Sequence, residues 1–355
     1  MTAKEFDLLC IGNALVDIFA TVRDSSLFDR LNLPASHIEI EKGLEILSLL
    51  QSEAAIEIVS GGGAANVAKI ASLLKARVCF TGAVGRDSAD GRLADNYGRV
   101  FEKELAAAGA ELKLSLKTSA TGICIYCRDG DETRIAASPS AALELSEADI
   151  CPGDIRKAKM VLIDGFMLGR PGLVRKIIDL AQEAGTTAVI DLSSTAIAAE
   201  HAKEILDYAQ RCPLFIFMNE AESSAFYREI KNEKSEAQNE TELPQEALLF
   251  FQSLTADKGF PIIAVKLGSR GALCFSGGTM HCAETQALIP KESTGAGDAF
   301  CAGFLSAWIR KKSIAECAGF GNRAAGIVLD AAGTQVSVKH FAELALELAE
   351  ELLKD

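Results

Sequence analysis

The chain has 355 residues, of which 49% are apolar, so it is long enough to bury a substantial core in one large domain or two smaller ones. Acidic side chains outnumber basic ones by 49 to 36, and the net charge of -13 argues against nucleic acid or an anionic membrane as a partner. The start of the chain lacks a secretory-signal pattern, no apolar run could span a bilayer, and the ten cysteines form no disulfide-like framework, so we expect a cytoplasmic protein with reduced thiols.

Short apolar runs that end in Gly, Asp or Asn recur along the chain and are separated by segments with helical periodicity. They are too short for helices and too apolar for half-exposed strands, so they predict strands that are covered on both faces. From about residue 140 onward strands and helices alternate, which is typical of a parallel sheet with helices on both faces. The predicted strands lie at 7–13, 78–85, 160–165, 187–193, 214–220 and 262–268.

Residues 13–25 and 111–138 depart from this pattern. The second range contains two strand-like runs joined at 128–131 by Arg-Asp-Gly-Asp, a sequence that favours a hairpin turn. The two ranges predict a small β element set against the main sheet. Cys124 and Cys127 form the only CxxC pair, and because no second pair or histidine lies nearby we interpret them as structural thiols.

A glycine-rich loop, Ser60-Gly-Gly-Gly-Ala-Ala-Asn66, precedes a helix-like segment. Consecutive glycines allow a ligand to approach backbone that a side chain would block. Asn66 could offer its side-chain amide to a substrate hydroxyl. A helix N-terminus without any ligand explains the loop equally well.

Polar side chains cluster where the predicted strands end. In an open parallel sheet the carboxyl ends of the strands flank the ligand crevice, so these positions together predict a site. Asp and Asn also favour turns and helix N-caps, which is the alternative explanation for any one of them. The residues are Asn13, Asp17, Asp164, Asp191, Asn219, Glu220 and Glu222.

Asn219 and Glu222 admit two interpretations. Asn at an N-cap with Glu three residues later is a capping box, which stabilises a helix start. Alternatively the carboxylates face the crevice and hold Mg²⁺ through water, because Mg²⁺ keeps much of its hydration.

A second glycine loop, Thr294-Gly-Ala-Gly-Asp298, precedes a long apolar helix. Its glycines allow a tight turn, and the N–H groups at the helix start form an anion hole with the positive end of the dipole behind them. Such donors would stabilise the charge on a transferring phosphoryl group, and Asp298 could take the proton of an attacking hydroxyl. The alternative is an acid in the first turn of a helix, stabilised only by the dipole.

Other catalytic and nucleotide-binding patterns are excluded. The segment 319–324 fits GxGxxA but lies in a helix-period stretch and follows no strand, so a dehydrogenase fingerprint is not indicated. No GxxxxGK[ST] occurs, which excludes a P-loop kinase. The four histidines lie far apart and suggest neither a zinc site nor a triad.

Eight segments, in this order along the chain, resemble the ribokinase-like (PfkB) family of carbohydrate and nucleoside kinases, and the opening is most similar to the adenosine-kinase-like branch. The resemblance implies a single ribokinase-like kinase domain over 1–355, an α/β fold in which a three-layer α/β/α sandwich has a mainly parallel central sheet and a small β-sheet lid at about 13–25 and 111–138. It also implies transfer of the ATP γ-phosphate to a primary hydroxyl of a sugar or nucleoside. The segments are IGNALVDI, SGGGAANVA, TGAVGRDSADG, TGICIYCRDGDETR, MNEAE, VKLGSRGAL, STGAGDAFCAGF and GNRAAGIVLDAAG.

The resemblance also implies roles for residues at matching positions. Asp298 matches the catalytic base, and the anion hole matches Gly295, Ala296 and Gly297. The positions that bind the acceptor match Asn13, Asp17, Gly62 and Asn66. Binding of ATP is expected at Asn219, Lys266, Gly268 and Asn322, with Mg²⁺ near Glu222, held through water.

The chain departs from the family pattern at three places. Glu292 replaces an Asp tied to a monovalent-cation site, which makes dependence on K⁺ doubtful, and Lys266 stands where a small hydroxyl residue is common. Phe166 and Met167 keep at most one of the adjacent aromatic positions that stack on the base in adenosine kinases. A kinase specific for adenosine is therefore one alternative, and a non-catalytic sugar or nucleoside sensor is another. Unpaired lid edges are compatible with a homodimer through the lid.

Overall fold

A nine-stranded sheet organises the larger part of the described chain, and its neighbouring strands are parallel except on both sides of β12. All six apolar runs that predicted strands belong to this sheet. The computed structural model describes residues 4–22, 27, 31, 37–130, 132–232, 243–256, 259–286, 294–330 and 338–350. From edge to edge the strands are β13 (Thr279–Ala283), β12 (Ala272–Ser276), β11 (Ile262–Lys266), β10 (Leu214–Asn219), β9 (Thr187–Asp191), β8 (Ala158–Asp164), β1 (Phe6–Ile11), β4 (Val78–Gly85) and β5 (Glu111–Lys117).

Helices cover both faces of this sheet, which confirms the predicted α/β/α sandwich. Within β1, Leu8 and Cys10 pack into one core while Leu9 and Ile11 pack into the other, so a continuously apolar strand is what the fold requires. The first core is covered by α2 (Gly63–Leu73), α3 (Asn96–Ala108), α10 (Ala296–Ile309), α11 (Ile314–Asp330) and α12 (Val338–Glu350). The second is covered by α4 (Pro152–Lys157), α5 (Pro171–Ala184), α6 (Thr195–Glu200), α7 (Ala202–Arg211), α8 (Glu220–Lys231) and α9 (Gln245–Ala256).

A second, four-stranded sheet lies beside the first, and α1 (Ile40–Glu53) covers one of its faces. Val16 and Ile18 point to that helix and meet Ile46 and Leu50 in a separate small core. The opposite face carries Asp17 and other alternate residues. In spatial order the strands are β3 (Ala54–Gly61), β2 (Leu15–Val22), β6 (Thr121–Asp129) and β7 (Glu132–Ser140).

The composition of the small sheet corrects the ranges expected from the sequence. Residues 111–117 pair with β4 at the edge of the large sheet, so the range 111–138 begins too early. The run ELKLSLK alternates apolar and polar side chains, which suits an edge strand of either sheet, and pattern alone does not choose between them. Strand β3, which was not predicted, pairs with β2 and forms one edge of the small sheet.

Several local expectations of the sequence hold. Gly185 ends α5 in the left-handed region with φ of 58°, which is a common role of glycine at a helix C-terminus. The segment 319–324 lies inside α11 and follows no strand. All ten cysteines are free. Within the described ranges, no helix combines the length and apolarity needed to cross a membrane.

The crossing of α10 and α11 depends on Gly303. A Cβ placed there would lie 2.6 Å from the Phe320 carbonyl oxygen and 2.8 Å from Ala324 Cβ, both too close. We expect Gly303→Ala to destabilise the fold by about 1–3 kcal/mol through overpacking, as measured by urea unfolding. Gly319→Ala is the matched control, because a Cβ at Gly319 meets nothing within 4 Å and the helix gains up to about 1 kcal/mol of propensity. Equal stability of the two variants would contradict this packing argument.

Candidate active site

Four polar side chains stand at the carboxyl ends of adjacent parallel strands. Asp164 ends β8, Asp191 ends β9, Asn219 ends β10 and Lys266 ends β11. Because these strands are neighbours in the large sheet, their ends meet along one edge. The two glycine loops noted in the sequence lie at the same edge.

Asp298 is the point where the two glycine loops meet. It stands in the first turn of α10, a helix that begins directly after Gly295, whose φ of 81° is in the left-handed region. The Nδ2 of Asn66, on α2, donates a 2.8 Å hydrogen bond to Asp298 Oδ2. Burial and the nearby Asp191 raise the pKa of Asp298 to about 7, although Asn66 opposes the shift. The carboxyl is thus poised near neutrality.

Asp164 lies beside Asp298 beneath the first glycine loop. A Cβ placed on Gly63 would lie 3.5 Å from both Asp164 Oδ2 and Asp298 Oδ1, so the loop backbone rests against both carboxyls. Oδ1 of Asp164 accepts hydrogen bonds from the Phe166 amide at 3.0 Å and from the Ser193 hydroxyl at 3.1 Å. Burial raises the pKa of Asp164. This carboxyl therefore anchors the loop after β8.

Lys266 forms an ion pair that the sequence did not predict. Its Nζ lies 2.8 Å from Asp191 Oδ1, and the two side chains are only 16% and 12% exposed. Burial by itself would lower the pKa of Lys266, but the Asp191 carboxylate raises it above the ordinary value, so the ammonium stays charged. A Cβ placed on Gly297 would lie 3.2 Å from this Nζ. The positive charge therefore lies directly against the second glycine loop.

Asn219 and Glu222 form the capping box that the sequence allowed. The Asn219 amide and Nδ2 each donate a 2.8 Å bond to the Glu222 carboxyl, and the Glu222 amide donates a 2.8 Å bond to Asn219 Oδ1. Burial raises the pKa of Glu222 to about 7. Over the described ranges, no three Asp, Glu, His or Cys residues are grouped so as to hold a metal ion directly. A hydrated ion held mainly by phosphates suits this donor set better than a protein cage.

A cavity of about 490 Å³ opens beside Lys266 and the second glycine loop. This volume is in the range of small-ligand sites. Asn322, at its wall, uses Nδ2 to bind the carbonyl oxygens of Ala283 and Glu284 at 3.0 and 3.2 Å, so it fixes the loop after β13. Of the residues expected to bind ATP, the cavity is lined by Lys266, Gly268 and Asn322, together with Ala296 and Gly297, but not by Asn219.

Asn13 and Asp17 lie on the other side of the first glycine loop. A Cβ on Gly62, whose φ is 102°, would lie 2.3 Å from the Asn13 carbonyl oxygen, so only glycine fits there. A Cβ on Gly61 would lie 2.3 Å from the Asp17 carboxyl. Asp17 is 5% exposed, and burial raises its pKa to about 7. The consecutive glycines therefore make room for the Asn13 backbone carbonyl and for the Asp17 carboxyl.

Two contacts in the site were not evident from the sequence. Asp191 was noted only as a strand-end acid, and its pairing with Lys266 joins residues 75 positions apart. Arg170 is not part of any motif in the sequence, although its Nη2 donates a 3.0 Å bond to Asn13 Oδ1. Phe166 is 45% exposed while Met167 is buried, so one aromatic side chain is available at this rim. Glu292 lies outside the described residues.

Comparison with known proteins agrees with the fold. The chain is 27% identical over 346 residues to adenosine kinase 2 of Arabidopsis thaliana, which covers 92% of this chain and 94% of that protein. The crystal structure of adenosine kinase from Sinorhizobium meliloti superposes with a TM-score of 0.78 at 24% identity, over 97% of this chain and 99% of the other. A probable sugar kinase from Rhizobium etli CFN 42 gives a TM-score of 0.79 at 23% identity, over 98% and 99%. At these identities the two structures show the ribokinase-like fold alone.

A match to a family model shows which protein family the chain belongs to. The pfkB family carbohydrate kinase model matches residues 35–340, which is most of the chain. Kinases of this family use ATP and transfer a phosphoryl group to an alcohol of a sugar or nucleoside. The chain belongs to the pfkB family of carbohydrate kinases and is a phosphotransferase with an alcohol group as acceptor.

Proposed function

We propose that this kinase phosphorylates a primary hydroxyl of a sugar or nucleoside, with Asp298 as the general base and the amides of Gly295, Ala296 and Gly297 as the anion hole. The observation that carries the proposal is the position of Asp298. It stands in the first turn of α10, bonded to Asn66 and close to the Lys266 ammonium. A base beside a positively charged phosphate site is what phosphoryl transfer to an alcohol requires.

Each group in the site has a defined task in this scheme. Asp298 takes the proton of the acceptor hydroxyl while the acceptor oxygen forms its bond to the γ-phosphorus and the bond to the ADP oxygen breaks. The helix-start amides and Lys266 face the negative charge that develops on the transferring group. The neighbouring cavity takes the nucleotide.

Magnesium would sit on the phosphate side of the site. Glu222 would approach the hydrated ion through water, since both of its oxygens already accept bonds from Asn219. When bound, Mg²⁺ neutralises phosphate charge and helps to orient the transferring group.

The small sheet would act as a lid over the acceptor, and the whole chain as one kinase domain. Asp17 lies on the face of that sheet which α1 leaves uncovered, and it would accept a hydrogen bond from an acceptor hydroxyl. Asn13 and Asn66 would complete the acceptor site beside Gly62. A homodimer through the lid would use its edge strands β3 and β7. Sedimentation velocity tests that assembly.

Adenosine is one specific acceptor that the relatives favour. Adenosine kinase 2 of Arabidopsis thaliana covers 92% of this chain, and Phe166 offers one exposed aromatic ring at the rim of the site. A panel of adenosine, other nucleosides, ribose, fructose and 2-keto-3-deoxygluconate, assayed for ADP release with Mg-ATP, tests the proposal. We expect turnover confined to one acceptor class. If no member of the panel led to ADP release while ATP still bound, the result would contradict the proposal.

The activity should depend on pH through Asp298. Its pKa is raised to about 7, and only the ionised carboxylate can accept a proton, so kcat/KM for the acceptor should rise as pH increases through neutrality. Burial also raises the pKa values of Asp17 and Glu222 to about 7. A variant is therefore needed to show that the rise of kcat/KM with pH comes from Asp298. The residual activity of Asp298→Asn, measured at saturating Mg-ATP, should not rise with pH through neutrality. If kcat/KM of that variant still rose over the same pH range, the titrating group would be another residue.

A further inference from the structure

Arg170 connects the start of α5 to the acceptor side of the site. It precedes Pro171, and its guanidinium is partly buried. Nη1 donates to the carbonyl oxygens of Ala142 and Leu145 at 2.8 and 3.4 Å. Nη2 donates to Asn13 Oδ1 at 3.0 Å. One side chain thus ties the end of β1 to two other segments of the large domain.

The contact with Arg170 fixes which way the Asn13 amide faces. A guanidinium has only donors, so the atom of Asn13 that meets it must be the oxygen. The Nδ2 then points away from Arg170. No residue in the described ranges accepts a hydrogen bond from it, although the side chain is only 6% exposed. Within the described chain, both N–H donors of the Asn13 side chain are therefore without an acceptor, and the Asn13 backbone carbonyl lies against Gly62.

Among the described residues, Arg170 binds Asn13 without forming an ion pair with a carboxylate. Its hydrogen-bond acceptors are neutral, namely the oxygens above and the Met167 sulfur, and no ion pair between described residues includes it. Burial lowers the pKa of Arg170, and Asp164 acts on it only from a distance. A charged donor strengthens the bond to Asn13 Oδ1 and polarises the amide, which makes its N–H groups better donors.

We propose that Arg170 is a positioning residue that sets the hydrogen-bond polarity of the acceptor site. By holding Asn13 Oδ1, it makes Asn13 a donor to an oxygen of the acceptor, while Asp17 remains the group that accepts. The site is thereby matched to a hydroxyl or carbonyl oxygen of a carbohydrate moiety at the Asn13 position, and it rejects an acceptor that has only carbon there. This inference rests on the proposed phosphorylation of a sugar or nucleoside.

Four variants test the inference against the wild type, using the member of the acceptor panel that the wild type phosphorylates best. Arg170→Met should raise KM for that acceptor about tenfold, the equivalent of one lost hydrogen bond, with KM for ATP unchanged. Arg170→Lys, which keeps a donor-only cation, should recover part of the loss. Asn13→Ala and the isosteric Asn13→Asp should match or exceed Arg170→Met, because both remove the N–H donors.

The double variant Asn13→Ala with Arg170→Met separates positioning from a general structural role. If Arg170 acts through Asn13, the double variant should have the same acceptor KM as Asn13→Ala alone. Lys176→Met is the matched control, since Lys176 on α5 also donates to a carbonyl oxygen, that of Glu147 at 2.7 Å, without reaching Asn13. Its acceptor KM should be unchanged.

The outcomes are distinguishable. Additive losses in the double variant, or an unchanged acceptor KM in Arg170→Met, would overturn the inference while leaving the kinase assignment intact. A wild type that phosphorylates no member of the panel would overturn the proposed function and this inference with it.

Discussion

Replacing Asp298 with asparagine is expected to lower kcat by about 10²–10⁴-fold, which is the usual contribution of a general base. The fold should not suffer. The pKa of Asp298 is higher in the folded chain than in an unfolded one, so above neutrality the ionised carboxylate opposes folding, and a neutral amide removes that penalty. We therefore expect Asp298→Asn to unfold at the same temperature as the wild type or at a higher one.

A matched variant shows whether the loss of kcat is specific to Asp298 or follows from removing any acid in the first turn of a helix. Glu316 is also an acid in the first turn of a helix, α11, but it caps that helix through Ser313. Glu316→Gln should keep wild-type turnover and lose only a little stability. If Asp298→Asn also turned over at the wild-type rate, the carboxyl would be an ordinary helix-start acid and the base would have to be sought elsewhere.

Removing the charge of Lys266 is the change with the second largest expected effect. Lys266→Met takes a fixed cation from beside Gly297, and loss of one such group from a charge-stabilising site lowers kcat by about 10²–10³-fold. It also leaves Asp191 buried without its partner, which costs about 3–5 kcal/mol of stability. The double variant with Asp191→Asn should recover stability but not turnover. Turnover at the wild-type rate in that double variant would show that the ion pair is structural only.

A second ion pair with similar burial provides the control. Lys117 and Asp149 lie 2.7 Å apart with side chains 16% and 14% exposed, at the edge strand β5. Lys117→Met should destabilise the fold to a similar degree, as measured by urea unfolding, and should leave kcat unchanged. A comparable loss of kcat in this variant would mean that destabilisation alone explains the effect at Lys266.

Local pattern predicted the elements of the large sheet because each strand is buried on both faces. The runs at 78–85 and 160–165 are mainly apolar, and in the structure their alternate apolar side chains enter opposite cores. The small sheet was harder to assign. Its strands β2 and β3 are 32 or more residues apart, and an alternating run such as 111–117 fits an edge of either sheet.

The site shows the same limit. The glycine loops and Asp298 could be identified because glycines before an apolar helix are locally unusual, and the capping box at Asn219 is a local motif as well. The pair between Asp191 and Lys266 and the contact of Arg170 with Asn13 join residues 75 and 157 positions apart. A lysine or an arginine at a strand or helix end is ordinary in sequence, and only the sheet order brings these partners together.

The position of the new phosphate in the product tests the central claim most directly. The wild-type enzyme would be incubated with Mg-ATP and its preferred acceptor, and the product examined by phosphorus NMR with proton coupling. The proposed site predicts a phosphate coupled to the methylene protons of a primary alcohol, with one ADP formed per product and the signal lost in Asp298→Asn. A phosphate on a secondary ring hydroxyl, or release of inorganic phosphate with the acceptor unchanged, would contradict the account.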